Sequence, residues 1–256
     1  MKFQIQEKEM KSFFSLSDDL MIFDIGSHNG DSTLRYKSIF PNAKVNCFEP
    51  VPSNFDDLQK NTKTISNVSI FQIALSARNE ETTFYLSNAD NVELGSKSSS
   101  LLSPTAEIKS VTPWLKFEHT IKVITKTLET FCAEQNIQHI DFVHMDVQGA
   151  ELLVLQGANK MLNQIDMIWM EVENVELYKG QPLKKDVFQY LSSHGFELVI
   201  DDVNWVAGDQ LWIRKDFLHS KKGRGYMINK QVRNSIFSFY YFVRGAVSKL
   251  KHFFLS

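Results

Sequence analysis

The sequence predicts a doubly wound Rossmann-like α/β sheet, mostly parallel, that closes with a C-terminal antiparallel hairpin. Three observations carry this expectation. Apolar strand-like runs alternate with helical stretches along most of the chain. The first run, Leu20-Met21-Ile22-Phe23, enters a glycine turn, Asp24-Ile25-Gly26-Ser27-His28-Asn29-Gly30-Asp31, that opens a helix. The series ends in two strand-like segments, Phe196 to Asp201 and Gln210 to Arg214, joined by a turn containing Gly208. At 256 residues, 43% hydrophobic and 23% charged, the chain suits one globular domain of this kind with additions at its ends.

The elements follow in order. Residues 1–19 read as a helical lead-in, whose frequent charges exclude a secretory signal. Leu20 to Ile25 is the first strand and Lys44 to Glu49 the second. Pro52 to Asn61 is a helix with Ser53 as its cap, and Val68 to Ala74 is the third strand. Thr82 to Ser87 is a further strand or hairpin arm. The segment from Asn88 to Pro113, rich in Ser and Asn, is a long loop of the kind that usually serves function. Thr127 to Gln135 is helical, Ile140 to Val147 is a buried strand, and Glu151 to Leu162 is an amphipathic helix. Gln164 to Val172 is another strand, and Lys184 to His194 is a helix stopped by Gly195.

The glycine turn narrows the ligand. A dinucleotide site uses G-x-G-x-x-G, whose second glycine lets the backbone approach a pyrophosphate. Here His28 occupies that place, which disfavours a dehydrogenase cofactor and fits a nucleoside without phosphates, such as S-adenosylmethionine. Glu49, nineteen residues after Gly30, would accept hydrogen bonds from both ribose hydroxyls.

Charge and cysteine content exclude other classes. Ten Lys and Arg against one acid, Asp216, lie from Arg214 onward, so a net −2 chain divides into a −11 body and a +9 tail. The acidic body offers no continuous basic groove for nucleic acid. Cys47 and Cys132 lack metal-like spacing and a disulfide framework, which points to a reducing cytoplasm.

Several motifs together resemble the FkbM-type methyltransferase family. They are Phe23 to Gly30, then Phe48-Glu49-Pro50-Val51-Pro52-Ser53-Asn54-Phe55, then Ala74-Leu75-Ser76, the run Ser98-Ser99-Ser100-Leu101-Leu102, Thr127-Leu128-Glu129-Thr130-Phe131, and Ile140 to Leu152 with Asp146-Val147-Gln148-Gly149. The resemblance spans roughly residues 20 to 215. It implies an S-adenosylmethionine-dependent O-methyltransferase of sugars or natural products. Asp24, Gly26, Ser27, His28, Asn29, Gly30 and Asp31 would hold the methionine portion of the cofactor, Glu49 with Pro50 the ribose, Ala74 and Leu75 the adenine, and Asp146 would lie beside the sulfonium. One departure is that His144 stands where the family usually carries a lysine, so a role tied to that lysine does not transfer.

Methyl transfer to a weakly acidic hydroxyl benefits from a base, and the candidates are His144, Asp146, Glu171 and Glu173. On an alternating strand His144 and Asp146 share a face; His144 is equally readable as a core histidine. Asp146, Glu173 and Asn174 also resemble the oxygen ligands of Mg²⁺-dependent enzymes, a minority reading because acids at strand ends are common without metal. Glu176 to Gly180 reads as a turn shaping the acceptor pocket.

The tail, residues 217–256, sets aromatics among Lys and Arg from Ile228 to Leu255, with Gly223-Arg224-Gly225 as a hinge. It reads either as an interfacial helix on the inner membrane face or as an accessory helix on the core or across a homo-oligomer. The expected function is O-methylation of a sugar hydroxyl in a surface glycan or its precursor. The alternative is a catalytically silent binding module in a glycan-assembly complex.

Overall fold

Seven strands form the main sheet of the computed structural model, which describes residues 2–88, 96–223 and 226, with side chains from Gln6 onward. In chain order the elements are α1 (Lys2–Phe13), β1 (Met21–Ile25), α2 (Asp31–Ile39), β2 (Lys44–Phe48), α3 (Pro52–Thr62), β3 (Val68–Phe71), β4 (Ala74–Leu75) and β5 (Glu80–Leu86). Then come α4 (Glu107–Val111), β6 (His119–Lys126), α5 (Leu128–Glu134), β7 (Ile140–Met145), α6 (Glu151–Gln156) and β8 (Ile165–Glu173). The last are α7 (Lys184–Ser193), β9 (Phe196–Val203), β10 (Ala207–Arg214) and α8 (Lys215–Leu218).

The sheet order is β3-β2-β1-β7-β8-β10-β9, and β10 alone runs against its neighbours. This is the expected parallel sheet with its antiparallel hairpin. The order reverses between β1 and β7, where open α/β sheets bind ligands beyond the carboxyl ends of their strands. Alternation along the strands divides the core in two. Phe23, Val143 and Met145 face one cluster with Phe131 and Leu155, whereas Ile22 and Phe142 face the other with Phe13, Tyr36 and Phe40. Asp24 and His144 share the parity of Ile22 and Phe142, and the β1–β7 register sets them directly opposite each other.

Several expectations need correction. The strand expected at Thr82 to Ser87 is present as β5, and what the sequence did not show is that it belongs to a small second sheet, β4-β6-β5. Its middle strand β6 went unread because exposed and half-buried positions dominate it. Val51, not Ser53, caps α3; Pro52 occupies its first turn. The helix expected to run to Leu162 stops at Gly157, whose added Cβ would lie 2.1 Å from the Ser76 carbonyl oxygen, and a 3₁₀ turn, Asn159–Gln164, follows.

The ends of the chain are less separate than the sequence implied. Phe13 and Phe14 of the lead-in stack with Phe217 and Tyr226 from beyond Asp216, so both ends complete the second core cluster. Gly223 is helical, and Arg224 and Gly225, the rest of the expected hinge, lie outside the described residues. The amphipathic helix expected over Ile228 to Leu255 lies outside the described residues. Among the described residues no helix is long and apolar enough to cross a membrane.

Candidate active site

The turn after β1 is knitted to the end of β2. The amides of Gly26 and Ser27 donate to the Phe48 carbonyl at 3.0 and 3.1 Å. Ser27 Oγ donates to the Asp24 carbonyl at 2.6 Å and accepts from the Phe48 amide at 3.1 Å. Gly26 takes φ +84, and a Cβ there would lie 2.1 Å from the Asp146 carbonyl oxygen. His28, with φ 49, aims its amide at Glu49 Oε2, 2.9 Å away. Glu49 Oε1 accepts from the Val51 amide at 2.9 Å and from Asn54 Nδ2 at 3.3 Å. The carboxyl is 4% exposed, and burial, only partly offset by these donors, raises its pKa to about 7.

Glu49 lines a narrow cleft at the carboxyl ends of the strands. Gly26, His28, Pro50 and Asp146 line it too, together with the apolar Ala74, Leu75, Phe48, Phe84 and Leu101. Polar groups converging on an apolar slot suit a nucleoside: the slot takes a base, and a carboxylate at its edge takes a vicinal diol. Burial also lowers the His28 pKa, which favours a neutral imidazole at the mouth. The residues present therefore fit S-adenosylmethionine.

Asp24 does not reach this cleft. It is fully buried, and its two carboxylate oxygens take Thr33 Oγ1 at 2.5 Å and His144 Nδ1 at 2.9 Å. A carboxylate oxygen accepts here, so His144 is held through Nδ1 and Nε2 is its other ring nitrogen. Tyr36 packs edge-on against the imidazole, and Gln6 of α1 donates to the Tyr36 hydroxyl at 2.9 Å. His144, Asn29, Asp31, Ser32, Lys97 and Asp146 line the outer mouth of the cleft.

The other half of the site lies beyond β7 and β8. The Asp146 amide donates to Ile25 O at 3.0 Å, and the chain then turns through Gln148 (φ 56) and Gly149 (φ 90) into α6. Gln148 Nε2 bridges Asp146 Oδ1, at 2.6 Å, and Glu171 Oε2, at 3.2 Å. The Tyr178 hydroxyl donates to Ser98 O at 2.8 Å and lies 3.3 Å from Gln148 Oε1, while Ser100 Oγ donates to the Gln148 carbonyl at 2.7 Å. Behind this bridge Glu151 accepts from the Val147 amide at 2.9 Å. Burial and then the charge of Glu173 hold the Glu151 pKa well above its usual range. Glu173 is raised to about 8 by burial and by Glu171 and Asp146.

Of the residues singled out in the sequence, Gly26, Ser27, His28, Asn29, Asp31, Glu49, Pro50, Ala74, Leu75, His144 and Asp146 line two adjoining pockets that share Gly26, His28, Lys97 and Asp146. Three do not line them. Asp24 acts from below the turn, Gly30 packs toward Leu58 of α3, and Glu173 is 3% exposed behind the acidic end. Asn174 turns away, its Nδ2 donating to Asn204 O at 2.6 Å, so the oxygen set expected for Mg²⁺ is not assembled. Among the described residues the metal-ligand types that converge are His139, Asp141 and Asp166, at the amino ends of β7 and β8, where Arg214 already pairs with Asp166 at 2.7 Å. Gln148 and Lys97 were overlooked, although each neighbours a motif already noted, Asp146 and the serine run respectively.

Comparison with known proteins identifies the family. The family model described as Methyltransferase FkbM domain matches residues 24–198. The chain is 34% identical over 194 residues to 2-O-methyltransferase NoeI of Sinorhizobium fredii, covering 75% of this chain and 79% of that protein. It is 28% identical over 205 residues to Methyltransferase 1 of Beauveria bassiana, covering 75% and 78%. Aeropyrum pernix fibrillarin, solved with natively bound S-adenosyl-L-methionine, superposes with a TM-score of 0.46 at 11% identity, covering 82% of this chain and 74% of that one. The chain belongs to the FkbM family of methyltransferases and is an S-adenosylmethionine-dependent enzyme.

Proposed function

We propose that this enzyme methylates a sugar hydroxyl of a surface glycan or its precursor, in the cytoplasm. The observation that carries the reading is the bridge Asp146–Gln148–Glu171, a row of carboxylates and an amide opening directly off the Glu49 cleft. Such groups accept from and donate to vicinal hydroxyls, and the similarity to a protein named a 2-O-methyltransferase supports oxygen as the acceptor atom.

In this reading Glu49 takes the ribose hydroxyls, Ala74 and Leu75 flank the adenine, and His28, Asn29 and Asp31 border the methionine portion. Bound S-adenosylmethionine supplies an electrophilic methyl carbon. The protein's task is to aim an oxygen at it and take the proton. Asp146, at the junction of the two halves, is the residue placed to accept that proton. His144, held through Nδ1 by Asp24, is a second acceptor through Nε2. Glu173, buried among acids, supports the charge balance rather than touching substrate. Family membership and the fit of the cofactor cleft favour catalysis over the silent binding module.

The test is methyl transfer from labelled S-adenosylmethionine to nucleotide-activated and oligomeric sugars, with calorimetric titration of S-adenosylmethionine and NAD alongside. Binding of S-adenosylmethionine with label entering a sugar ether is expected, before and after exhaustive chelation. Label found only in non-sugar acceptors, or tight cofactor binding with no transfer to any sugar, would sink the proposal. Activity lost on chelation and restored by Mg²⁺ would reinstate the metal reading.

A further inference from the structure

Tyr178 has two sides. Its hydroxyl faces the acceptor end through Ser98 and Gln148, while its ring packs with Ile108, Leu115 and Phe117 in a separate apolar cluster. The Tyr178 and Phe117 rings meet edge-on, with centroids 6.1 Å apart. The strip carrying Tyr178 is bridged to Pro104, and the Lys179 amide donates to Ser103 O at 2.7 Å. Beyond it opens a second groove, of about 690 Å³, within the size range of ligand sites.

The floor of this groove is Ile108, Leu115 and Phe117, and its rim carries Lys109, Lys116 and Lys179 against one acid, Glu118. The three lysines are exposed, two from the stretch 104–118 and one from the turn after β8, and pair with no carboxylate among the described residues. That concentration of cations lies in a body whose net charge is −11. An apolar, aromatic floor accepts the C–H faces of pyranose rings, and separated lysines match charges spaced along a chain better than a single compact dianion.

We propose that this groove is a distal acceptor subsite for carboxylate-bearing sugar units, holding the uronate part of a chain whose methylated unit reaches Asp146 past Tyr178. The proposal rests on the sugar-methylating reading of the main cleft, and it adds the substrate class: an acidic oligosaccharide rather than a lone neutral sugar. The lysines act on capture of the acceptor and leave the cofactor cleft untouched, since none of them borders it.

The experiment is calorimetry on the full chain with hexagalacturonate and hyaluronan hexasaccharide, and with neutral maltohexaose as the length-matched control. At least one acidic hexasaccharide should bind, and maltohexaose should bind about tenfold or more weakly. Raising salt, or the triple variant Lys109→Ala, Lys116→Ala, Lys179→Ala, should remove that preference, with S-adenosylmethionine affinity unchanged. Equal binding of neutral and acidic chains overturns the proposal, as does no binding of either acidic chain or an intact preference in the triple variant. Displacement of the acidic hexasaccharide by inorganic phosphate at comparable concentration overturns the uronate assignment in favour of a phosphate site. Sugar methylation that persists after the groove idea fails leaves the main reading standing. Acidic binding without any sugar methylation does the reverse.

Discussion

Glu49 and Glu173 are both glutamates buried at the carboxyl end of the sheet, and both have raised pKa values, yet their surroundings are opposite. Glu49 is ringed by donors: two backbone amides and one side-chain amide point at its oxygens. Glu173 is crowded by acids: beyond burial, Glu171 and Asp146 raise its pKa, it raises that of Glu151 in turn, and the Gln181 side chain only partly offsets them. Donors prepare Glu49 to be a carboxylate when a diol arrives. Crowded charge prepares Glu173 to hold a proton. The cofactor half is therefore organised by local backbone geometry, and the acceptor half by electrostatic pressure among distant segments.

The strongest attack on this comparison is at the junction. Asp146→Asn keeps a side chain that Gln148 can still hold, but removes the proton acceptor. Single-turnover rates are expected to fall on the order of 10²–10³-fold, with cofactor affinity nearly unchanged. His144→Ala should cost less. A near-normal rate for Asp146→Asn would move the base to His144.

Glu49 comes next. Glu49→Ala should weaken S-adenosylmethionine binding by about 1.5–3 kcal/mol, measured by calorimetry, and leave the fold intact. The carboxylate is the form that accepts two hydroxyls, and its pKa before binding is about 7. Affinity in the native enzyme should therefore rise as pH climbs through 7, with a proton released on binding, and Glu49→Gln should flatten the profile. A pH-independent native affinity would mean that the donors around Glu49 already keep it ionised.

Glu173 gives the smallest effect. Its folded pKa, about 8, lies above the ordinary 4.5, so the folded state holds the proton more tightly than the unfolded chain does. That stabilisation is complete below about 4.5 and drains away as pH rises through 8. Glu173→Gln, a permanent mimic of the protonated acid, should melt on the order of 5 °C above the native enzyme at high pH and together with it at pH 4. Turnover should change little. A large loss of rate would return Glu173 to the catalytic set.

The same contrast explains what could be read from the sequence. The Glu49 side of the cleft was traceable because its contacts join two short motifs: Asp24 to Asp31 and Glu49 to Asn54 hold the glycines and the acid that their local geometry demands. Position within those motifs was harder. Asp24 carries a motif's first acid, but only the register of β1 against β7 shows that it faces His144 rather than the ligand. The acceptor half joins Ser98, Gln148, Glu171 and Tyr178, residues with no shared periodicity, so no window of sequence contains it. β6 failed for a related reason, since an edge sheet half open to solvent lacks the apolar run that marks a central strand. Just past the boundary drawn at Asp216, the Phe217 ring meets Phe13 of α1, a contact between segments too far apart for any window of sequence to contain.

Gly26 has a consequence for how such enzymes can diverge. Its Cα meets the Asp146 carbonyl so closely that even one methyl group has no room, and its φ of +84 disfavours any side chain besides. The turn after β1 and the end of β7, which we propose hold the cofactor and the base, are thus a single fused joint, and a substitution that shifts one shifts the other. New acceptors cannot be acquired by remodelling there without losing the methyl donor in the same step. Change is channelled outward, to Gln148, Tyr178 and the loops around them, where a side chain can be exchanged while the distance between donor and base stays fixed. A lineage with this joint can widen its repertoire of substrates while inheriting its chemistry unaltered.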